Sequence, residues 1–226
     1  MIKVIENLIF RNRRLVVVLF ILLTIFMVWQ ASHLKIDAGF AKMLPLEHPY
    51  MQTYLEYRDS FGGANRVVIA IKAREGDIFT PTFFEVLAEA TDEVFFIPGV
   101  DRTKVMSLYT PNVRFTEVVE DGISGGNVIP DDFEPTEEGL AKVRENILKS
   151  NYMGRLVAND FSAAIIAAEL LEFNPATGEK LDYIGVADEL EAIRDKFSND
   201  DVGVDFDYHI IGFAKVIGDL ASGAAR

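Results

Sequence analysis

The residue types that most often do chemistry are scattered along this sequence without the spacing that a reaction centre needs. His33, His48 and His209 have no ligand spacing around them, and the chain has no cysteine. A thiolate metal site or a disulfide is therefore excluded, and three ordinary histidines are a better interpretation than a metal centre. The glycine stretches FGGAN and DGISGGN lack the Walker and G-x-G-x-x-G patterns that bind nucleotides.

Hydroxyl and carboxylate side chains also lack a catalytic setting. Ser124, Ser150 and Ser162 have no nucleophile-elbow context. The carboxylate run VIPDDFEPTEE is expected to be a solvated loop that leads into a helix N-terminus, where Asp and Glu are favoured. We therefore expect no enzyme activity, no cofactor and no metal.

Aromatic side chains are the stronger candidates for a binding function. Two adjacent pairs lie on one predicted helix, and adjacent residues diverge by about 100° around a helix, so the four rings cannot all face one core. They either fill the space against the sheet and a neighbouring subdomain, or they contribute to an apolar substrate cleft of the kind found between domains. The loop at 122–130 could border the same cleft. The substrate-cleft candidates are Phe83, Phe84, Phe95, Phe96, Tyr109 and Phe115.

The first part of the chain has the pattern of a membrane anchor. Thr24 is the only polar side chain between Leu15 and Val28, and residues 15–32 would form about 27 Å of helix, close to the roughly 30 Å of a hydrocarbon core. A buried globular helix or a cleaved signal peptide are the alternatives; the first is rarely apolar on every face, and WQASHL is a poor cleavage site. The residues expected to anchor the helix at its ends are Arg11, Arg13, Arg14 and Trp29.

Charge is unevenly distributed along the 226 residues. Residues 1–14 carry a net charge of +3. Because the whole chain carries a net charge of −13, the remaining residues together carry −16. This asymmetry predicts a basic tail on the cytoplasmic side of a membrane and an acidic domain on the other side. An acidic domain repels nucleic acid, so nucleic acid is excluded as a partner.

The exported part contains two similar β-α-β units. In the first, a buried strand at Arg66–Ala73 is followed by a helix with Thr80 as N-cap and Pro81 at its first position. Pro98-Gly99 should end that helix, and Val100–Thr110 is predicted to be the returning strand.

The second unit repeats the order strand, helix, strand. It has a predicted strand at Asp160–Phe173, a helix over LDYIGVADELEAIRDKFSN and a strand at Asp201–Gly212. Two such units predict an α+β ferredoxin-like (split β-α-β) domain with its helices on one face of the sheet. Residues 111–159 would be an insertion that contains a Gly/Pro loop, GISGGNVIPDD, and an amphipathic helix.

These elements predict a division of the chain into successive segments. The predicted segments are a basic cytoplasmic tail (1–14), a transmembrane helix (15–32), a linker and helix (33–65), an extracytoplasmic α+β domain (66–212, with the insertion 111–159) and a last segment rich in small residues that is expected to be a helix cut short (213–226).

The order of these features resembles the N-terminal part of a resistance-nodulation-division (RND) superfamily transporter of the MMPL-like type. IDAGFAKMLPLEHP is similar to the segment after the first membrane helix, where an Asp and a Leu-Pro precede a helix that ends in Phe-Gly, here Phe61-Gly62. The stretch from RVVIAIKA to VMSL resembles the first porter unit, including its Ile-Pro-Gly-Val turn. YHIIGFAKV resembles the stretch that leads into the second membrane helix. The resemblance therefore implies that residues 66–212 are an extracytoplasmic porter domain and that residues 213–226 are the truncated lead-in to that second helix.

The resemblance implies a proton-driven transporter for hydrophobic or amphipathic molecules in the bacterial inner membrane, with its N-terminus in the cytoplasm. The implied partners are the lipid bilayer, the remainder of the transporter chain, a hydrophobic substrate, further copies of the chain and periplasmic accessory proteins. No ionisable residue lies between Leu15 and Trp29, so the proton path should lie outside this fragment. The alternative is a single-pass, membrane-anchored module for ligand binding, sensing or envelope assembly.

Overall fold

The computed structural model of the chain divides into two units, residues 1–38 and 39–226. The residues that it describes are 12–33, 45, 47–61, 65–120, 122–174, 177–199 and 205–224.

The first unit contains one long apolar helix, α1, from Arg13 to Ala31. None of its side chains is buried, and Thr24, its one polar residue between Leu15 and Val28, donates its hydroxyl hydrogen to the Phe20 carbonyl at 2.8 Å. The backbone and the threonine therefore satisfy their own hydrogen bonds, as a helix surrounded by lipid requires.

The second unit is a mixed α and β structure with antiparallel sheets, which confirms the α+β class. Its elements in chain order are α2 (Pro49–Phe61), β1 (Arg66–Ala73), α3 (Pro81–Phe96), β2 (Arg114–Val119), β3 (Gly122–Asn127), α4 (Glu137–Lys149), β4 (Ala163–Glu169), α5 (Tyr183–Asn199), β5 (Phe206–Gly212) and α6 (Phe213–Ala224).

The main sheet has the strand order β4-β1-β5, and both neighbours run antiparallel to β1. In β1, alternate residues such as Val67, Ile69 and Ile71 are buried, whereas Lys72 on the other face is exposed. The alanines of β4 favour helix in isolation, but pairing with β1 from Arg66 to Lys72 places them in a strand, where packing outweighs local preference.

Helices α3 and α5 cover the same face of this sheet. Phe83 of α3 meets the ring of Phe206, which pairs with Ala73 of β1. Phe197 of α5 stacks on Tyr208, which pairs with Ile71. Since residues directly opposite each other in neighbouring strands share a face, both helices lie on the face that carries the buried side chains of β1.

The predicted N-terminus of α3 is confirmed. Thr80 has extended backbone angles, and its hydroxyl accepts a hydrogen bond from the Phe83 N–H at 3.2 Å. Pro81 occupies the first helical position, where its missing N–H costs nothing. The helix therefore begins at a defined residue, which fixes the direction of the phenylalanines that follow.

The prediction of a continuous strand at Val100–Thr110 is wrong. Val100 bridges Leu170 and Met106 bridges Ala167, but a 3₁₀ turn at Arg102–Lys104 separates the two bridges. The Asp101 carboxylate accepts a hydrogen bond from the Thr103 N–H at 3.1 Å and so stabilises this turn. The segment follows the free edge of β4 without forming a regular strand.

A cluster of charges joins this segment to the sheet. Glu169 of β4 accepts hydrogen bonds from Lys104 at 2.8 Å and from Arg66 at 2.7 Å. Burial raises the pKa of the Glu169 carboxyl, but the hydrogen bonds from the two cations outweigh that effect and hold the pKa below its usual value. The carboxylate therefore stays ionised at neutral pH and links β1, β4 and the 3₁₀ turn.

The predicted Gly/Pro loop at GISGGNVIPDD is also wrong in part, because residues 122–127 form β3. This strand pairs antiparallel with β2, from Arg114 opposite Asn127 to Val119 opposite Gly122. The β-branched residues of β2 supply the strand preference that the glycines of β3 lack. The insertion thus holds a hairpin in addition to the predicted helix, α4.

Candidate functional site

Three of the four residues expected to anchor α1 are described by the structure, and they lie near its two ends. Arg13 and Arg14 are exposed in the first turn, and Arg11 lies outside the described residues. Trp29 is 56% exposed and contacts the rings of Phe26 and His33 near the other end. The 19 residues of α1 are sufficient in length and apolar character to cross a bilayer.

The structure places the six substrate-cleft candidates in three separate regions. Phe83 and Phe84 have no exposed surface and belong to the core. Tyr109 contacts the ring of Phe84, with centroids 6.3 Å apart. The remaining candidates lie elsewhere: Phe95 and Phe96 at the far end of α3, and Phe115 on β2.

Phe95 and Phe96 form a surface group with Arg102. Their rings are 5.5 Å apart, and the Arg102 guanidinium carbon lies 5.5 Å and 5.3 Å from their centroids. Phe96 is 65% exposed. Twelve residues of helix, roughly 18 Å, separate this pair from Phe83 and Phe84, so the two pairs cannot contact one small ligand together.

Around Phe84 the structure brings together a continuous aromatic strip of five residues. Phe84 contacts Phe133 at 5.4 Å and Phe79 at 6.3 Å between centroids. Phe133 contacts Tyr109 at 6.5 Å, and Phe79 contacts Phe161 at 5.2 Å. Phe84 is fully buried, whereas the other four rings are half-buried and reach the surface. The strip therefore exposes apolar surface from four rings, and these rings surround the fully buried ring of Phe84.

Several local turns position the rings of the aromatic strip. Phe161 has a φ of 57°, which is rare for a bulky residue, and its carbonyl accepts the Ile78 N–H at 2.9 Å. Asp160 accepts hydrogen bonds from the N–H and hydroxyl of Ser162, at 3.0 and 2.7 Å. The hydroxyl hydrogen bond from Ser162 is the largest of the interactions that lower the pKa of the Asp160 carboxyl. Strain of this kind at Phe161 is common where a side chain must be held in one direction for function.

A cation lies at one end of the aromatic strip. The Arg144 guanidinium carbon is 5.0 Å from the Phe79 centroid and 4.8 Å from the Phe161 centroid. Its Nη1 is 3.6 Å from Asp77 Oδ2. Cation–π contacts at partly exposed sites are worth about 0.5–1 kcal/mol. The strip thus combines an apolar surface with a guanidinium group whose charge Asp77 partly balances, a combination that suits an amphipathic molecule.

Tyr109 supplies the one hydroxyl group of the aromatic strip. Burial raises the pKa of its phenol to about 12, because the anion loses more hydration than the neutral form. The group is therefore neutral across the physiological range. It can donate a hydrogen bond to a ligand oxygen without adding charge to the apolar surface.

Sequence reasoning identified Phe84 and Tyr109 but not Phe79, Phe133, Phe161 or Arg144. Phe79, Phe133 and Phe161 lie singly in loops that are far apart in the chain, and no periodicity links a single loop residue to a helix. One sequence signal could have indicated these loop phenylalanines: each follows a turn-forming residue closely, Phe79 in GDIF, Phe133 in PDDF and Phe161 in NDF.

The polar candidates stay apart in the structure. The letters GISGG fit the G-x-S-x-G pattern, yet Ser124 lies within β3 opposite Glu117 and not at a strand-to-helix turn. His33 contacts Trp29, the His48 ring accepts the Tyr50 N–H at 3.2 Å, and His209 lies in β5. In the part of the chain that the structure describes, no three His, Asp or Glu side chains form a group that could hold a metal ion.

Comparison with known proteins gives a distant relative. No family model matches the chain. A protein of Methanocaldococcus jannaschii named "Putative membrane protein MJ1562" is 24% identical over 183 residues. The match covers 78% of this chain and 42% of the relative, so the chain spans less than half of that protein's length. This relative and the exposed apolar helix α1 together indicate that the protein associates with a membrane.

Proposed function

We propose that this chain is the N-terminal part of a proton-driven, RND-type transporter, of the MMPL-like kind, that moves hydrophobic or amphipathic molecules across or out of the membrane. In this proposal α1 is a transmembrane anchor with its N-terminus in the cytoplasm. The second unit is an extracytoplasmic porter domain. The helices that couple transport to protons belong to other parts of the transporter.

A ferredoxin-like (split β-α-β) domain is part of this proposal. The segment 100–106 lies beside β4, because Val100 bridges Leu170 and Met106 bridges Ala167. With this segment included, the order across the sheet is 100–106, β4, β1 and β5, all antiparallel to their neighbours. Helices α3 and α5 then each connect two strand positions of a β-α-β unit and cover one face. This order is the observation that carries the proposal, because it fits the porter unit implied by the resemblance.

The aromatic strip supports the substrate class. Apolar sites with a few polar groups are typical of small-molecule binding, and the strip offers four half-buried rings, the neutral hydroxyl of Tyr109 and the guanidinium of Arg144. A lipid-like or drug-like molecule could place its apolar part on the rings and a polar group near Arg144. Phe95, Phe96 and Phe115 are less suited to this role, because they lie away from the strip.

The membrane anchor can be tested with a charge in the middle of α1. Leu22→Arg is expected to reduce membrane insertion by about 2.5–3.5 kcal/mol, the cost of a central arginine on insertion scales. Fractionation of cells and alkaline extraction would measure the change. Leu22→Ala is the matched control and should stay in the membrane fraction. An arginine variant that resists extraction as the parent does would contradict the transmembrane anchor.

Transport can be tested through the exposed rings of the aromatic strip. The protein, expressed from its intact gene, should lower the cellular accumulation of Nile red, and a protonophore should abolish the effect. The double variant Tyr109→Ser/Phe133→Ser should weaken the interaction with the dye by about tenfold, because each aromatic contact is worth about 0.5–1.5 kcal/mol. Efflux at a series of dye concentrations gives this change as a shift in the half-saturating concentration.

Phe96→Ser is the matched control for that experiment, because Phe96 is 65% exposed but lies outside the aromatic strip. It should leave efflux unchanged. Dye export that continues in the presence of the protonophore would contradict proton coupling. Binding of the dye without any export would favour the single-pass ligand-binding module instead.

A further inference from the structure

The hairpin formed by β2 and β3 is a sheet of only two strands. In the described part of the chain no other strand pairs with its outer edges. A two-stranded hairpin is only marginally stable by itself and gains stability from a third strand or from packing. Neither β2 nor β3 contains a proline or a lysine, two of the devices by which proteins protect a free strand edge. The hairpin therefore has backbone groups free to pair with another chain.

The inner face of the hairpin packs against α4. Lys149 Nζ lies 2.6 Å from Glu117 Oε2 and 5.8 Å from the centroid of Phe115. Phe115 also covers Gly126, where an added Cβ would meet its ring at 3.5 Å. These contacts orient the hairpin on the unit, so its other face is turned outward.

The outer face carries an uncovered apolar pair. Val118 and Ile123 lie directly opposite each other, and they are 87% and 78% exposed. Cross-strand pairs of this kind stabilise a sheet when a neighbouring strand or layer covers them. In this hairpin the described residues leave the side chains of Val118 and Ile123 exposed, whereas the inner face contacts Lys149 of α4.

The sequence segment that contains the pair is acidic. Residues 113–135 contain six carboxylates and one arginine, a net charge of −5. Glu120 directly follows β2 and is exposed. A partner that pairs with this hairpin would therefore be favoured by positive charge, and a second acidic copy of the same chain would be repelled.

We propose that the hairpin is an acceptor for an extended, cationic segment of another protein, which adds as a third strand. Main-chain hydrogen bonds to a free edge would provide affinity, and alternate apolar side chains of the segment would cover Val118 and Ile123. Lysine or arginine side chains between them would be attracted by the net negative charge of residues 113–135 and of the whole chain, which is −13. The two strands of the hairpin share no residue with the aromatic strip, so strand addition there does not depend on the proposed transport function.

The test uses a fluorescein-labelled peptide of four Lys-Val repeats and the full chain in detergent micelles. Fluorescence anisotropy is expected to show saturable binding. Val118→Thr/Ile123→Thr should weaken it at least about tenfold, because two exposed apolar side chains lose their cover while strand preference is kept. Leu148→Gln is the matched control, since Leu148 is 61% exposed on the neighbouring α4, and it should bind as the parent does.

Two control peptides distinguish strand addition from other contacts. Four Glu-Val repeats should not bind, because their charge is reversed. Four Lys-Val repeats with N-methyl groups on alternate residues should not bind, because one edge of the peptide can no longer donate hydrogen bonds. Equal binding of the N-methylated peptide, or equal binding by the Val118→Thr/Ile123→Thr variant, would overturn the proposal. Hydrogen exchange should show protection of the amides of β2 or of β3 on binding, and protection of neither strand would also overturn it.

A second copy of the chain is the competing occupant. Analytical ultracentrifugation of the parent and of Val118→Thr/Ile123→Thr would reveal it. Self-association that the double variant abolishes would overturn the assignment of a cationic partner. A parent protein whose mass is independent of concentration, together with binding of the Lys-Val peptide, is the result expected.

Discussion

Phe84→Ala is expected to lower the free energy of unfolding of the second unit by about 3–5 kcal/mol, the usual cost of removing a buried phenylalanine. Phe84 has no exposed surface and contacts the rings of Phe79, Tyr109 and Phe133. The change would leave a cavity beneath the aromatic strip. For a domain of this size such a loss corresponds to a fall of about 10 °C in Tm, which a thermal melt of the full chain in detergent would measure.

Phe96→Ala is the matched control for this variant, because it removes the same side chain from a position on the same helix that is 65% exposed. Its effect should be at most about 0.5 kcal/mol. The comparison also separates the two interpretations of the paired phenylalanines. A Phe84→Ala variant that melts at the parent's temperature but has lost dye export would assign Phe84 to a substrate cleft. A large loss of stability assigns it to the core.

The elements that could be predicted from the sequence are those whose signals are local. Thr80 and Pro81 mark a helix start by their own chemistry, and the structure begins α3 there. The strand at Arg66–Ala73 is β-branched and short, and the structure has it with the same bounds. The strand predicted at Asp160–Phe173 is shorter, Ala163–Glu169, because Asp160 and Ser162 form a turn before it.

The elements that sequence reasoning missed depend on partners far away in the chain. The segment 100–110 has the composition of a strand, but Asp101 stabilises a 3₁₀ turn and Lys104 reaches Glu169, which is 65 residues away. The strand β3 is half glycine and has no strand preference of its own, so its pairing with β2 decides its conformation. A local pattern contains neither of these interactions.

In the candidate site, too, the sequence indicated the features with local signals but not those that depend on long-range contacts. The paired phenylalanines of α3 were visible because they share a helix, and their helical angle indicated that they must face different surroundings. Phe84 meets Phe133, which is 49 positions later, only because the insertion folds back over the start of α3. The sequence therefore indicated which helix would contribute rings, whereas the aromatic strip itself depended on tertiary contacts between loops.

Gly99→Val is the second change with a large expected effect, and it acts through the backbone. Gly99 ends the turn after α3 with a φ of +93°, which an L-residue rarely adopts. A Cβ at this position would lie 2.1 Å from Leu181 Cδ1, and Leu181 is itself buried. The left-handed backbone costs about 1–2 kcal/mol and overpacking about 1–3 kcal/mol, so the loss of stability should be about 3–4 kcal/mol.

Gly76 separates these two contributions, because it has a φ of +76° but no atom within 4 Å of an added Cβ. Gly76→Val should therefore show the backbone cost alone and melt well above Gly99→Val. Adding Leu181→Ala to Gly99→Val should cost less than the sum of the two single changes, since the smaller side chain makes room for the valine. Thermal melts of the four variants give this coupling. Additive effects, or a Gly99→Val variant no less stable than Gly76→Val, would contradict the contact between Gly99 and Leu181 that joins the turn after α3 to the residues just before α5.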